Sequence, residues 1–429
     1  MHFIKTILLV TLMIPGWLYA ALDIRITEGV AGAIPIAIAP FSAISSSPLA
    51  ENVSDIVSAD LKRSGRFSPL SRDKFAQPNA SSGNIELYRW RDQSIDYVVV
   101  GDVTETGAGG YVVKFQLFDS GAGTQLAGFN VPANAGELRM AAHQVADLIY
   151  EAILQVRGAF NTRIAYVTTQ ISGGERNYVL KVSDSDGHND RTVLNSTSPL
   201  MSPAWSPDNR RIAYVSFEGN RSSIYVQEIS TGRRQAVSSR KGINGAPVWS
   251  PDGENLAITL SESGAPNIYI LNVTSRQLTK ITNNRSIDTE PAWTPDGQNL
   301  IFTSNRSGKP QLYKVSASGG SAQRLTFDGE YNSAPSVSPD GTKVAMVNGE
   351  DGRFRIAILD LNSGETSILT NGTLDESPSF APNGSMILYA TEAGGRGVLA
   401  AVSDDGRMRQ TLVLQEGEVR EPDWSAFLN

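Results

Sequence analysis

Residues 247–253 read PVWSPDG, and the architecture of the chain follows from how that heptad returns. It reappears as PAWSPDN (203–209), PAWTPDG (291–297), PSVSPDG (335–341), PSFAPNG (378–384) and, cut short, PDWSAF (422–427). The leading prolines fall at 203, 247, 291, 335, 378 and 422, so the steps are 44, 44, 44, 43 and 44 residues. A fixed period of this size marks a repeat architecture. Proline cannot donate to a strand ladder and Asp-Gly favours a tight turn with positive φ, so SPDG reads as the hairpin between the first two strands of each unit. Three more strand-like runs follow it. The second strand is IAY (212–214), LAI (256–258), LIF (300–302), VAM (344–346) and ILY (387–389). IYV (224–226), IYI (268–270), LYK (312–314) and RIAIL (355–359) supply the third, and RQAV (234–237), TKIT (279–282), QRLT (323–326) and SILT (367–370) the fourth. Four short β-branched or aromatic strands per unit is the pattern of a propeller blade.

The aromatic that precedes the turn (Trp205, Trp249, Trp293, Phe380 and Trp424, with Val337 as the exception) is a large apolar body at one register position. It is expected to pack between adjacent blades rather than to stack a ligand. The ends of the array predict how the ring closes. RIAYV (163–167), NYVLKV (177–182) and RTVL (191–194) match strands two to four of a unit that has no first strand, whereas PDWSAFL is a first strand with nothing after it. Five complete units and these two pieces make six blades, with the last strand completing the sheet begun at residues 163–194 and removing its open edge.

Upstream of the array the pattern changes. Residues 1–20 read as an export leader, with His2 and Lys5 as a polar start, ILLVTLMI (7–14) as the apolar core, Pro15-Gly16 as a break, and cleavage after Ala20 or Ala21. The apolar run is too short to span a bilayer as an anchor. Residues 22–158 are expected to form an α/β domain and residues 163–429 the propeller, giving an α/β N-terminal domain followed by an all-β six-bladed propeller closed by the C-terminal strand. IPIAIAPF (34–41) reads as a buried strand. A helix over 48–64 is expected to be capped by Ser47 and ended by Gly65, and a second helix over 136–157 to end before Gly158. Strands are predicted near 95–104, 110–118 and 124–131. In the first mature residues Leu22, Ile24 and Ile26 alternate with Asp23, Arg25 and Thr27 before Gly29, Gly32 and Pro35 interrupt. This is a short half-apolar strand on a tether. It serves either as an ordinary edge strand or as a strand added to a partner's sheet.

Composition removes several function classes. Lys+Arg 37 against Asp+Glu 44 gives a net charge of −7, the wrong sign for a general nucleic-acid binder. With no cysteine and three histidines, the chain has no material for thiol catalysis, a Cys-ligated zinc or a His-rich metal site, and little for a Ser-His-Asp triad. A G-x-S-x-G elbow is missing, so the hydrolase of a peptidase-type propeller is not expected. DSDGHND (184–190) imitates a calcium loop but places Asn195 where the ligand Glu would stand, and reads better as a turn between strands three and four. No cofactor, metal or catalytic residue is assigned.

A leader, an α/β domain containing IPIAIAPF, and six P-x-W-S-P-D-G units ending at the chain terminus together resemble the TolB family, the periplasmic propellers of the Tol–Pal system. NGAPVWSPDG, DTEPAWTPDG and LDESPSFAPNG sharpen the resemblance, which covers essentially all of the mature chain. It implies a soluble, monomeric, non-enzymatic periplasmic adaptor that supports envelope integrity and outer-membrane constriction at cell division. Its implied partners are the lipoprotein Pal on one propeller face, the inner-membrane protein TolA at the N-terminus, bacteriocins on the same surfaces, and other outer-membrane proteins. By position the TolA segment is Leu22, Asp23, Ile24, Arg25, Ile26, Thr27, Glu28 and Gly29. Blade geometry puts the approach to each innermost strand at the channel mouth: 198–202, 244–246, 288–290, 332–334, 375–377 and 419–421. The resemblance then assigns Asn244, Gly245, Ala246, Asp288, Thr289, Glu290, Asn332, Asp375 and Glu376 to Pal, with Ala246, Thr289 and Glu290 in the family-like stretches. The competing expectation is an exported propeller enzyme or glycan-binding module that uses the channel. It would need His, Arg or Tyr residues gathered at one mouth.

Overall fold

The computed structural model describes residues 23–28, 32–107, 109–413 and 417–428, and for 23–28 the backbone path. The expected leader (1–20), Leu22 and Gly29 lie outside the described residues. Residues 34–134 build one sheet in the order Phe67–Pro69, Ile34–Ile38, Tyr97–Glu105, Gly110–Asp119, Thr124–Asn134, with Ser42–Ile44 also beside Tyr97–Glu105. The first pairings are parallel and the last two antiparallel. Both faces are covered, which is why its central strands read as unbroken apolar runs. Ile36, Ile38, Val99 and Val103 meet helices α1 (Val53–Arg63) and α3 (Leu138–Leu154) on one face. Ala37, Ala39, Val98 and Val100 meet Phe75 and Trp90 on the other, Trp90 lying on α2 (Leu87–Asp92).

Two helix ends differ from expectation. Helix α1 is capped by Asn52, whose side chain accepts from the Asp55 amide at 3.3 Å, and not by Ser47. Asn52 stands directly before Val53, the first helical residue. The segment ahead is held away from helical geometry by Glu105, which accepts from the Ser46 amide at 2.7 Å and its hydroxyl at 2.8 Å. Helix α3 stops at Gln155, in the left-handed region at φ 59°, before Gly158 is reached. Asp147 then accepts from the amides of Phe160 (2.7 Å) and Asn161 (3.2 Å), which fixes the path of the chain out of the helix.

Six four-stranded antiparallel blades follow. Blade 1 pairs its innermost strand Glu418–Trp424 with Arg163–Ser172, then Glu175–Asp184 and Arg191–Ser196, so the chain terminus closes the ring as expected, with Trp424 opposite Ile164. The innermost strands of blades 2 to 6 are Leu200–Trp205, Asn244–Trp249, Asp288–Trp293, Tyr331–Val337 and Glu376–Phe380. The aromatic position packs against the preceding blade. Trp249 sits with Ala213 and Val215 of blade 2, and its indole N–H donates to the Ala204 carbonyl at 3.1 Å. Trp293 repeats this toward Val248 at 3.3 Å. The SPDG turns also interlock. Gly253 needs its positive φ of 71°, and a Cβ there would come within 3.3 Å of Pro207 in the blade before. On its other side blade 2 meets SAFL (425–428) in place of an SPDG turn. There Asn209 takes the left-handed position (φ 59°) and its side-chain amide donates to the carbonyls of Ala426 (3.3 Å) and Phe427 (2.9 Å).

Candidate functional site

In an antiparallel blade the first-to-second and third-to-fourth turns share one face, and the remaining loops share the other. The α/β region occupies the first of these faces. Arg63 of α1 donates to the carbonyl (3.1 Å) and hydroxyl (2.8 Å) of Ser185 in a blade 1 turn, and Asn383 in the blade 6 turn donates to the Arg157 carbonyl at 2.9 Å. Among the described residues, the opposite face, where the channel mouth was expected to act, is left open.

The candidate mouth residues divide by burial. Asn244, Asp288, Asn332 and Asp375 are at most 1% exposed. Each staples the loop entering its blade to the strand beside it. Asp288 accepts from Ser304 Oγ (2.6 Å) and Asn284 Nδ2 (2.6 Å), and both its oxygens accept from Arg306 Nη2 at 2.9 Å. Asn244 accepts from Ser238 Oγ at 2.6 Å, Asn332 donates to the Asp328 carbonyl at 2.8 Å, and Asp375 accepts from Thr370 and Thr391, each at 2.5 Å. These four side chains are therefore not contact surface. Inner-strand entry leaves amides and hydroxyls of the outer loop without partners, and a buried carboxylate or amide is what satisfies them. Gly245, Ala246, Thr289, Glu290 and Glu376 are half-buried and remain reachable.

Two residues further along each inner strand the backbone turns left-handed, once per blade: Ser202 (φ 48°), Ala246 (45°), Glu290 (52°), Ala334 (49°), Ser377 (54°) and Glu421 (50°). Each precedes the repeat proline, and the ladder loses register there. Together they rim a channel of about 410 Å³. Its carboxylates hold neighbouring blades together. Glu290 accepts from Thr303 Oγ1 (2.8 Å) and from the Ala334 amide one blade on (2.9 Å), and Glu421 accepts from the Ser202 amide in the same way. Asp423 accepts from the Trp205 amide (2.7 Å) and Ser379 Oγ (3.1 Å), while burial pushes its carboxyl up to about 6.

Around this mouth lies a feature that the sequence reading missed. Six large apolar side chains, one per blade, stand exposed on the open face: Ile171 (72%), Met201 (40%), Ile243 (50%), Ile287 (47%), Phe327 (71%) and Leu374 (40%). Among the described residues of the propeller, Ile368 is the other exposed large apolar side chain, and it lies on an outer strand. Ile243, Ile287 and Leu374 come directly before the buried Asn or Asp, a spacing present in the sequence but read there only for its polar members.

The N-terminal segment does not hang free. Asp23–Glu28 pairs antiparallel with Arg409–Val413, the outer strand of blade 6, and makes that sheet five-stranded, with Ile24 opposite Leu412. Of the two readings of this segment, the edge strand is the one seen. DSDGHND forms the expected turn, and its Asp186 turns inward. With Asp60 and His143 it offers three potential metal ligands within 4.8 Å of one another. Arg63 already pairs with Asp60 at 3.0 Å and Arg139 with Asp186, so the cationic positions beside both carboxylates are taken by guanidinium groups.

Fold and site together define a six-bladed propeller scaffold with an α/β region on one face and an apolar ring on the other. Residues 150–428 match the family model for the TolB beta propeller domain and residues 22–126 that for the TolB amino-terminal domain. The chain belongs to the TolB family. It is 61% identical over 430 residues to the Tol-Pal system protein TolB of Thioalkalivibrio sulfidiphilus, covering 99% of this chain and 98% of that one. It is 60% identical over 419 residues to that of Nitrosococcus oceani, covering 97% and 96%. The crystal structure of TolB from Acinetobacter baumannii superposes with a TM-score of 0.87 at 43% identity, over 94% of this chain and all of that one. The chain is thus a Tol–Pal system component, and no helix among its described residues is long and apolar enough to cross a membrane.

Proposed function

We propose that the chain is a non-enzymatic periplasmic adaptor that joins the outer-membrane lipoprotein Pal to inner-membrane TolA and so supports envelope integrity and outer-membrane constriction at division. The observation that carries this reading is the ring of six exposed apolar side chains on the face left free by the α/β region. Grouped exposed apolar surface on a rigid scaffold is characteristic of protein-binding sites. Pal is assigned to this ring and to the half-buried Gly245, Ala246, Thr289, Glu290 and Glu376 inside it, and bacteriocins compete for the same place. TolA is assigned to Asp23–Glu28, whose main-chain bonds to blade 6 are of the kind a partner's sheet edge can replace. Against the enzyme reading, Glu290, Glu421 and Asp423 at the channel are engaged with backbone amides of neighbouring blades. Burying a Leu- or Ile-sized side chain contributes roughly 1.5–3 kcal/mol, so Ile243→Asp with Ile287→Asp is expected to weaken Pal binding by about a hundredfold, or ~2.7 kcal/mol. Calorimetry on the folded double variant tests this; unchanged affinity would remove the ring from the site.

A further inference from the structure

A cleft of about 520 Å³ opens on the other side of the molecule, where the first turn of α3 faces the outer strands of blade 1. Arg139, Arg163, Arg191 and His188 all line it. Asp184 and Asp190 line it too, and each nearby acid has a partner of its own. Asp190 pairs with Lys181 at 2.5 Å, Asp186 pairs with Arg139, and Asp184 accepts from Asn189 Nδ2 at 2.6 Å. Among the described residues none forms an ion pair with Arg163 or Arg191, although Asp184 acts on Arg163 through space. Burial, and then the neighbouring Arg191, hold the Arg163 guanidinium below the usual arginine range. Arg139 adds a buried Nε with no hydrogen-bond partner.

Two guanidinium groups without an ion pair on the wall of one cleft, one of them half-buried, are unfavourable unless an anion joins them. Their planar forks suit an oxyanion that can accept several N–H donors at once. We propose that this cleft binds a phosphate-type oxyanion between Arg163 and Arg191. The site is separate from the apolar ring and from the N-terminal strand, and it does not rest on the adaptor reading.

The test is calorimetry with inorganic phosphate on the chain from residue 22 at constant ionic strength, with chloride as the control. Co-sedimentation with phosphatidylglycerol vesicles, against phosphatidylcholine vesicles, runs in parallel. Saturable binding of phosphate at one site per chain, weakened at least tenfold by Arg191→Gln, supports the proposal with free phosphate as the source. Selective sedimentation with phosphatidylglycerol that the same substitution abolishes supports it with a lipid headgroup as the source. Arg191 is exposed, so this variant tests the site even where Arg163→Gln impairs folding. Absence of both signals, or binding that Arg191→Gln leaves unchanged, overturns the site.

Discussion

His143 is 2% exposed and lies between two carboxylates, with Nδ1 at 2.6 Å from Asp60 Oδ2 and Nε2 at 3.5 Å from Asp186 Oδ2. Burial disfavours its charged form, but Asp60 and then Asp186 outweigh burial, and the imidazole is held above its ordinary 6.5. A proton bound more tightly in the folded state stabilises fully below 6.5, and that contribution is lost as pH rises through the raised folded value. Asp147 acts in the same direction over a lower window. Burial lifts it from 3.8 to about 7, so the folded state loses stability relative to the unfolded chain as pH climbs across that interval. The melting temperature is therefore expected to fall as pH rises above 6.5, and His143→Gln to flatten the fall; an identical slope in the variant would remove His143 from the account. His143→Leu leaves Asp60 and Asp186 without the imidazolium between them. It is expected to cost about 3–5 kcal/mol, as measured by denaturant unfolding. None of this was legible from the sequence, where His143 is one apolar-stripe neighbour among many. Its partners lie 83 and 43 residues away in the chain.

At the scale of single elements the N-terminal strand is the informative one. Alternation in Leu22–Ile26 showed a strand but not its partner, because every sheet edge presents the same main-chain groups. The structure pairs it with blade 6. A strand so placed cannot also pair through the same edge with a second sheet, so under the proposed reading TolA either displaces Arg409–Val413 or adds to the other edge of the segment. Deleting residues 22–32 is expected to abolish TolA binding while Pal affinity stays within twofold, both measured by calorimetry. TolA binding that survives the deletion would place that site elsewhere. Saturating Pal is expected to shift TolA affinity in the full-length protein by about 1–3 kcal/mol, a typical coupling energy, and reciprocity demands the same shift in Pal affinity on adding TolA. Equal affinities with and without Pal would show that the two sites are independent.

For the molecule as a whole the decisive contact is the ring closure. Glu418–Trp424 lies against Arg163–Ser172, the Ser425 amide donates to the Arg163 carbonyl at 2.9 Å, and Trp424 Nε1 donates to Thr162 Oγ1 at 2.8 Å. Removing residues 420–429 strips blade 1 of most of its inner strand and exposes a long unpaired edge, the usual template for aggregation. The truncated chain is expected to lose its cooperative melt and to precipitate or become protease-sensitive in blades 1 and 6. A soluble product melting like the full-length protein would refute closure as the source of stability.

Blade number, closure and the role of SPDG were determined by the sequence itself, because turn chemistry and strand alternation act over a few residues and the repeat states them six times. Tertiary structure alone decided which mouth residues face a partner. Asn244, Asp288, Asn332 and Asp375 look as solvated as any loop residue until the neighbouring strand brings Ser, Thr and Arg donors against them. The same holds for Ile243, Ile287 and Leu374. Some 44 or 87 residues apart in the chain, each reads as an ordinary isolated exposed apolar residue. They become one surface only when the blades are arranged about a common axis, since a closed ring sets positions one period apart side by side on the same face.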